Sequence, residues 1–203
     1  MRDAVALARA LATVPLISIG GPWHRAIDQE YLTKAPPGYP AGDPPQPLWP
    51  GGAKRSGGRF TPKGSFDTLY LCSDPTTAML EVSAVFRPPK GPLVSARRNP
   101  LTLIQADGSL EAVLDLMNGD TQARLGTNEQ ELTGNWRTTA NPPTHVLATA
   151  VEASGRILAI RSYSSKNEGA GTIVAIFTDY LPGFPPSFVE MVDSSGKLVQ
   201  RLP

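Results

Sequence analysis

The 203-residue chain has a single cysteine, Cys72, and two histidines, His24 and His145. One thiol cannot close an intramolecular disulfide. Two imidazoles beside it are too few for a His/Cys-rich zinc site, although carboxylate ligation of a metal stays open on composition alone. An excess of one charge is missing as well: 19 Lys+Arg stand against 18 Asp+Glu, a formal net charge of +1. That balance argues against a strongly basic nucleic-acid binder and against an acidic solvating tail. No apolar run is long enough to span a bilayer, because the best one, residues 4–19, is interrupted by Arg9 and Pro15. Met1-Arg2-Asp3 makes a poor signal-peptide start, so no membrane association and a cytoplasmic location are expected. The familiar phosphate, hydrolase and metalloprotease signatures are absent too: there is no Walker A lysine, GxGxxG, GxSxG or HExxH.

What the chain does have is Gly and Pro, 19 and 21 residues, together roughly a fifth, below the level of collagen or disorder. The length predicts one domain over 1–203. Residues 4–13 read as an amphipathic helix within an N-terminal helical segment, 1–22. Residues 35–64 are dominated by Pro and Gly and predict a long loop, with Tyr39 and Trp49 tying it to the body. Residues 66–73 (FDTLYLCS) suit a strand buried on both faces. Asp74 then offers an N-cap and Pro75 an N1 residue for a helix running to Phe86, before Pro88. Strands are expected at 101–106, 111–117, 156–162 and 171–177, and a helix at 144–153 after Pro142-Pro143. The segments 188–192 and 197–202 flank Asp193-Ser194-Ser195-Gly196, so 178–203 reads as a C-terminal hairpin. Helices and strands alternate irregularly, which predicts an α+β fold with a mixed β-sheet core and flanking helices.

Several side chains could carry chemistry. Arg59 follows Gly57-Gly58, so backbone and a planar five-donor fork can approach a pyrophosphate or carboxylate together; a solvated arginine in a glycine turn fits the same letters. Glu81 is the only charge in the run 78–86, and is either exposed or held in a cleft, where it must be paired or used. Tyr70 is either a core strand tyrosine or a stacking surface. Ser162-Tyr163-Ser164-Ser165-Lys166 follows an apolar strand and reads as a turn or a strand-end site. Trp23-His24-Arg25 places a further arginine early in the chain. Lys54-Arg55 with Arg59 forms a local basic patch able to meet a phosphate.

Taken together these residues resemble the RES-domain toxins, named for Arg, Glu and Ser. The resemblance rests first on residues 57–82, GGRFTPKGSFDTLYLCSDPTTAMLEV, and then on residues 159–177, AIRSYSSKNEGAGTIVAIF. Residues 113–118 and 132–137 match weaker intervening segments, and Trp23-His24-Arg25 resembles the family's opening aromatic-Arg segment. The resemblance covers residues 23–177. It departs from the pattern where Lys166 stands for the arginine after the serine and where the insert 35–56 is long. Ser165 competes with Ser164 as the family serine.

The resemblance implies an ADP-ribosyltransferase-like fold that uses NAD+ as substrate, with no metal. It implies a toxin that breaks the nicotinamide–ribose bond and passes ADP-ribose to a protein, water or phosphate. It also implies a cognate Xre-type antitoxin covering the NAD+ site, with no direct nucleic-acid contact. The matching positions are Arg25, Arg59, Tyr70, Glu81 and Ser164. Arg25 and Arg59 would clamp the pyrophosphate, and Tyr70 would stack on nicotinamide. Glu81 would stabilise developing oxocarbenium charge, and Ser164 would bond the ribose or Glu81. Outside that reading stands a non-catalytic nucleotide-binding or protein-interaction module with a degenerate site.

Overall fold

The computed structural model describes residues 3–40, 42–83, 85–86, 94–95, 99–167 and 169–203. In chain order these form α1 (Ala4–Thr13), β1 (Ile17–Gly20), β2 (Trp23–Asp28), α2 (Gly51–Ser56), β3 (Thr68–Cys72), α3 (Pro75–Val82), β4 (Val85–Phe86) and β5 (Val94–Ser95). There follow β6 (Leu101–Asp115), α4 (Gly119–Leu125), α5 (Glu129–Thr133), α6 (Pro143–Ser154), β7 (Ala159–Tyr163), β8 (Thr172–Phe177), β9 (Phe188–Val192) and β10 (Leu198–Leu202). Seven strands run in the order β10-β9-β6-β2-β3-β8-β7, with β1 also on β6. The long β6 is used twice. Its first half pairs antiparallel with β2, from Leu101↔Asp28 to Ala106↔Trp23. Its end pairs parallel with β7, Val113↔Ala159 to Asp115↔Arg161. The circuit β6-β2-β3-β8-β7 therefore returns to its starting strand, and the sheet is mixed, as the irregular alternation of elements predicts.

Period-two alternation sends each strand's residues into two separate cores. Trp23, Ile27, Leu69, Leu71, Val113, Val174 and Ile176 form one apolar cluster. Ile160, Ala175 and Phe177 face the other, where Leu7 and Leu11 of α1 and Leu147 and Val151 of α6 cover them. Tyr70 and Cys72 lie on this helix-covered face, one residue out of phase with Leu69 and Leu71.

Five expectations need correction. The helix read as running to Phe86 stops at Val82 with Ser83 as C-cap, and Val85–Phe86 pair instead with Val94–Ser95; the Ser83 hydroxyl donates back to the Met79 carbonyl, a local alternative to continuing the helix. The N-terminal segment 1–22 is not helical throughout. Pro15 lacks a donor and biases Val14 to extended backbone, so α1 ends at Thr13 and Ile17–Gly20 joins the sheet. The strands expected at 101–106 and 111–117 are one strand. Gly108 lets it pass β9, since a Cβ there would lie 2.2 Å from the Phe188 carbonyl oxygen. The loop 35–64 contains α2, and a 3-10 turn over Thr178–Gly183 precedes the C-terminal hairpin. The hairpin itself closes as expected around Gly196, whose φ of 81° requires glycine.

Candidate active site

Three chain segments converge at one end of β7. Helix α3 begins where the sequence places its cap: the Asp74 carboxylate accepts from the Thr77 N–H at 2.8 Å. Pro75 fixes the first turn. This start aims Glu81, in the last turn, at the residues that follow β7. Ser164, the first residue after that strand, donates its hydroxyl to Glu81 Oε1 at 2.7 Å. The same Ser164 oxygen accepts the N–H groups of Lys166 and Asn167, at 3.1 and 3.0 Å. With both acceptances filled from the backbone, its proton is directed to the carboxylate.

Arg59 approaches from the opposite side, on the turn after α2. Its Nη1 donates to the Tyr163 carbonyl at 3.1 Å, its Nη2 donates to Ser165 Oγ, and Nη2 lies 3.8 Å from Glu81 Oε1. The Arg59 side chain is 5% exposed. Burial pushes its pKa down, partly offset by the Glu81 carboxylate and by Tyr70. Its Nε–H has no protein partner among the described residues. Glu81, by contrast, keeps 22% of its side chain exposed and faces solvent. The two serines that compete in the sequence thus have separate partners, Ser164 on Glu81 and Ser165 on Arg59.

Tyr70 fastens the turn that carries Arg59. Its hydroxyl oxygen accepts from the Phe60 N–H at 2.8 Å and meets Thr61 Oγ1 at 2.9 Å. Burial pushes the phenol up to about 12. Gly58 sits on the ring so closely that a Cβ would fall 2.7 Å from the hydroxyl. The glycine pair is therefore required by the approach to Tyr70 and by the φ of 81° at Gly57.

Arg25 is the one sequence candidate outside this hydrogen-bonded cluster. Alternation along β2 puts it on the face of Trp23 and Ile27. Its guanidinium donates to the Pro47 and Trp49 carbonyls, at 3.2 and 2.9 Å, and burial lowers its pKa to about 10. It anchors the proline-rich loop. Lys54, from the basic patch, pairs with Asp67 at 3.6 Å.

Sequence reasoning missed three supporting residues. Asn167 Nδ2 donates to Thr77 Oγ1 at 2.8 Å, and Thr77 Oγ1 donates to Asp74 Oδ2 at 2.5 Å, so the start of α3 and the serine turn are wired together. His145 of α6 meets the Gly58 carbonyl. The Ser164-x-x-Asn167 spacing was the only available signal for the first two, and no local pattern marks the third. Beside His145 opens a groove of about 1050 Å³ between α1 and α6, walled by Ala8, Ala12, Trp136, Val146 and Ala153. Among the described residues, no group of His, Cys, Asp and Glu is arranged to hold a metal ion, and no helix is long and apolar enough to cross a membrane.

An arginine, a glutamate and a serine drawn from three distant segments define this site, and a family model for the RES domain matches residues 23–195. The chain belongs to the RES domain family. No curated protein matches it by sequence. Among solved structures it is similar to a chain of the crystal structure of the M. tuberculosis MbcT-MbcA toxin–antitoxin complex, with a TM-score of 0.61 at 15% identity, covering 97% of this chain and 90% of that one. That likeness bears on the fold, and it extends the resemblance from the two sequence blocks to nearly the whole molecule.

Proposed function

We propose that this chain is the toxin of a toxin–antitoxin pair and that it cleaves the nicotinamide–ribose bond of NAD+. The observation that carries the reading is the Ser164–Glu81–Arg59 cluster. It holds a partly exposed carboxylate by a directed hydroxyl on one side and a buried guanidinium on the other. Leaving of nicotinamide builds positive charge at the anomeric carbon, as in glycoside cleavage. Glu81 stabilises that charge and bonds the ribose hydroxyls. Ser164 fixes the carboxylate rotamer, so little reorganisation is needed as charge develops. Arg59 adds a positive field for the pyrophosphate and offers its unpartnered Nε–H; the ring of Tyr70 supports nicotinamide. ADP-ribose then passes to water, phosphate or a protein acceptor. Family membership and a fold shared with a chain of a toxin–antitoxin complex support the toxin role. The partner is a cognate antitoxin of the Xre type that covers this cleft.

The test is incubation of the purified protein with NAD+ and measurement of free nicotinamide. Release by wild type and its loss in Glu81→Gln support the reading. A folded wild-type protein that binds NAD+ without releasing nicotinamide would favour a nucleotide-binding module instead.

A further inference from the structure

The turn that carries Arg59 is held from two sides. Tyr70 grips it from the sheet through the Phe60 N–H and Thr61 Oγ1. From the helix layer, His145 Nε2 lies 2.8 Å from the Gly58 carbonyl oxygen. A carbonyl only accepts, so Nε2 carries the hydrogen, in the neutral tautomer or in the imidazolium. The same carbonyl accepts the Thr61 N–H at 3.2 Å, and Gly58 N–H donates back to the Thr61 carbonyl at 2.8 Å. Trp136 completes the arrangement. Its ring lies 5.6 Å from that of His145, and a Cβ on Gly57 would stand 3.5 Å from it. His145 thus contacts the residue immediately before Arg59, while sitting 87 positions away in the chain.

We infer that His145 is a positioning residue for Arg59, tying the Gly57–Thr61 turn to α6 so that the guanidinium is delivered to Tyr163, Ser165 and Glu81. The physical reason is flexibility. Gly58 is needed for the close approach to Tyr70 and Gly57 for its φ of 81°, and two successive glycines leave the turn loose. The hydrogen bonds of Tyr70 reach the turn only beyond Arg59, at residues 60 and 61. Without His145 the side before Arg59 is held by Gly57 N–H on Ala53 and by the Gly58–Thr61 bridge alone. The catalytic part of this inference rests on the NAD+ reading; the tether itself does not.

Two measurements separate those parts. Amide hydrogen exchange at Phe60 and Thr61 reads the tether through the turn, because the Thr61 N–H shares the Gly58 carbonyl with His145 and the Phe60 N–H directly follows Arg59. In His145→Leu their exchange is expected to speed up about tenfold, the scale of one lost hydrogen bond, with β3 and β8 amides unchanged. His145→Asn, polar but too short to reach Gly58, should behave like Leu. His145→Gln, whose amide reaches the Nε2 position, should return exchange to within about threefold of wild type. Nicotinamide release should follow the same order, with kcat/KM down about tenfold in Leu and Asn and recovered in Gln. Unchanged exchange at Phe60 and Thr61 in both Leu and Asn overturns the proposal, as does an equal rise across the whole sheet. Altered exchange with unchanged kcat/KM overturns the link to Arg59. Should wild type release no nicotinamide, the NAD+ reading fails, and exchange alone upholds or overturns the tether.

Discussion

Glu81 has two neighbours that act on it differently, and substitutions separate them. Glu81→Gln keeps shape and the hydrogen bond from Ser164 but removes the charge; nicotinamide release should fall about a hundredfold or more, with an unchanged Tm. Arg59→Lys leaves a point charge in place of a fork that reaches Tyr163 and Ser165 at once. Its KM for NAD+ should rise about tenfold, since an ammonium cannot span both acceptors. Ser164→Ala should cost more activity than Ser165→Ala in the same assay, because it frees Glu81 and also strands the Lys166 and Asn167 N–H groups. Equal losses would mean that both serines act through the turn alone. The residue types were legible in the sequence, since a lone charge in an apolar helix and an arginine after two glycines stand out locally. Which serine meets which partner was not, because a one-residue shift in a polar turn changes nothing in composition.

Single elements set the aim of these groups. Helix α3 points Glu81 because Asp74 caps it, and the Asp74–Thr77–Asn167 chain locks that start to the serine turn. Thr77→Val should break the chain and lower nicotinamide release several-fold, with a Tm loss corresponding to about 1 kcal/mol, the net worth of the hydrogen bonds lost at the half-buried Asp74 and Asn167. Strand β3 carries a second prediction. The Tyr70 phenol is pushed up to about 12 by burial, so the folded state holds this proton more tightly than the unfolded chain. Its contribution is present below pH 10, the ordinary value, and is lost as pH rises from about 10 to about 12. Arg25, lowered to about 10, works in the opposite sense over that range. The clean measurement is therefore the stability difference between wild type and Tyr70→Phe by urea midpoint, which should shrink across that window. The cap of α3 was readable from Asp74-Pro75. The break after Val82 was not, because Val85 and Phe86 continue an apolar pattern that suits helix and strand alike. The hold of Arg25 on the Pro47 and Trp49 carbonyls was not readable for a similar reason: the letters Trp-His-Arg show an arginine but not which face of β2 it takes.

At the scale of the molecule, long-range pairing dominates. The class of fold followed from the irregular order of strands and helices, but the return of β7 to β6 could not, because a strand pattern does not name its partner. The closed circuit makes β6 a shared wall, so damage to its crossing point should spread. Gly108→Val should lower Tm sharply and impair both cores, since its side chain would collide with the Phe188 carbonyl; circular dichroism during thermal melting checks this. The separation of the site residues along the chain has a further effect, on timing. Glu81 and Ser164 are 83 residues apart, and Arg59 waits 104 residues for Tyr163. At about 5–20 residues per second, a ribosome needs several seconds to add that stretch. A half-made chain already displays the arginine and the glutamate, yet nothing holds them together. On the proposed NAD+ reading, nicotinamide release cannot begin until translation has passed the serine turn. A chain cut short before Ser164 leaves Glu81 without its hydroxyl partner and Arg59 without the Tyr163 carbonyl, and should release no nicotinamide in the same assay.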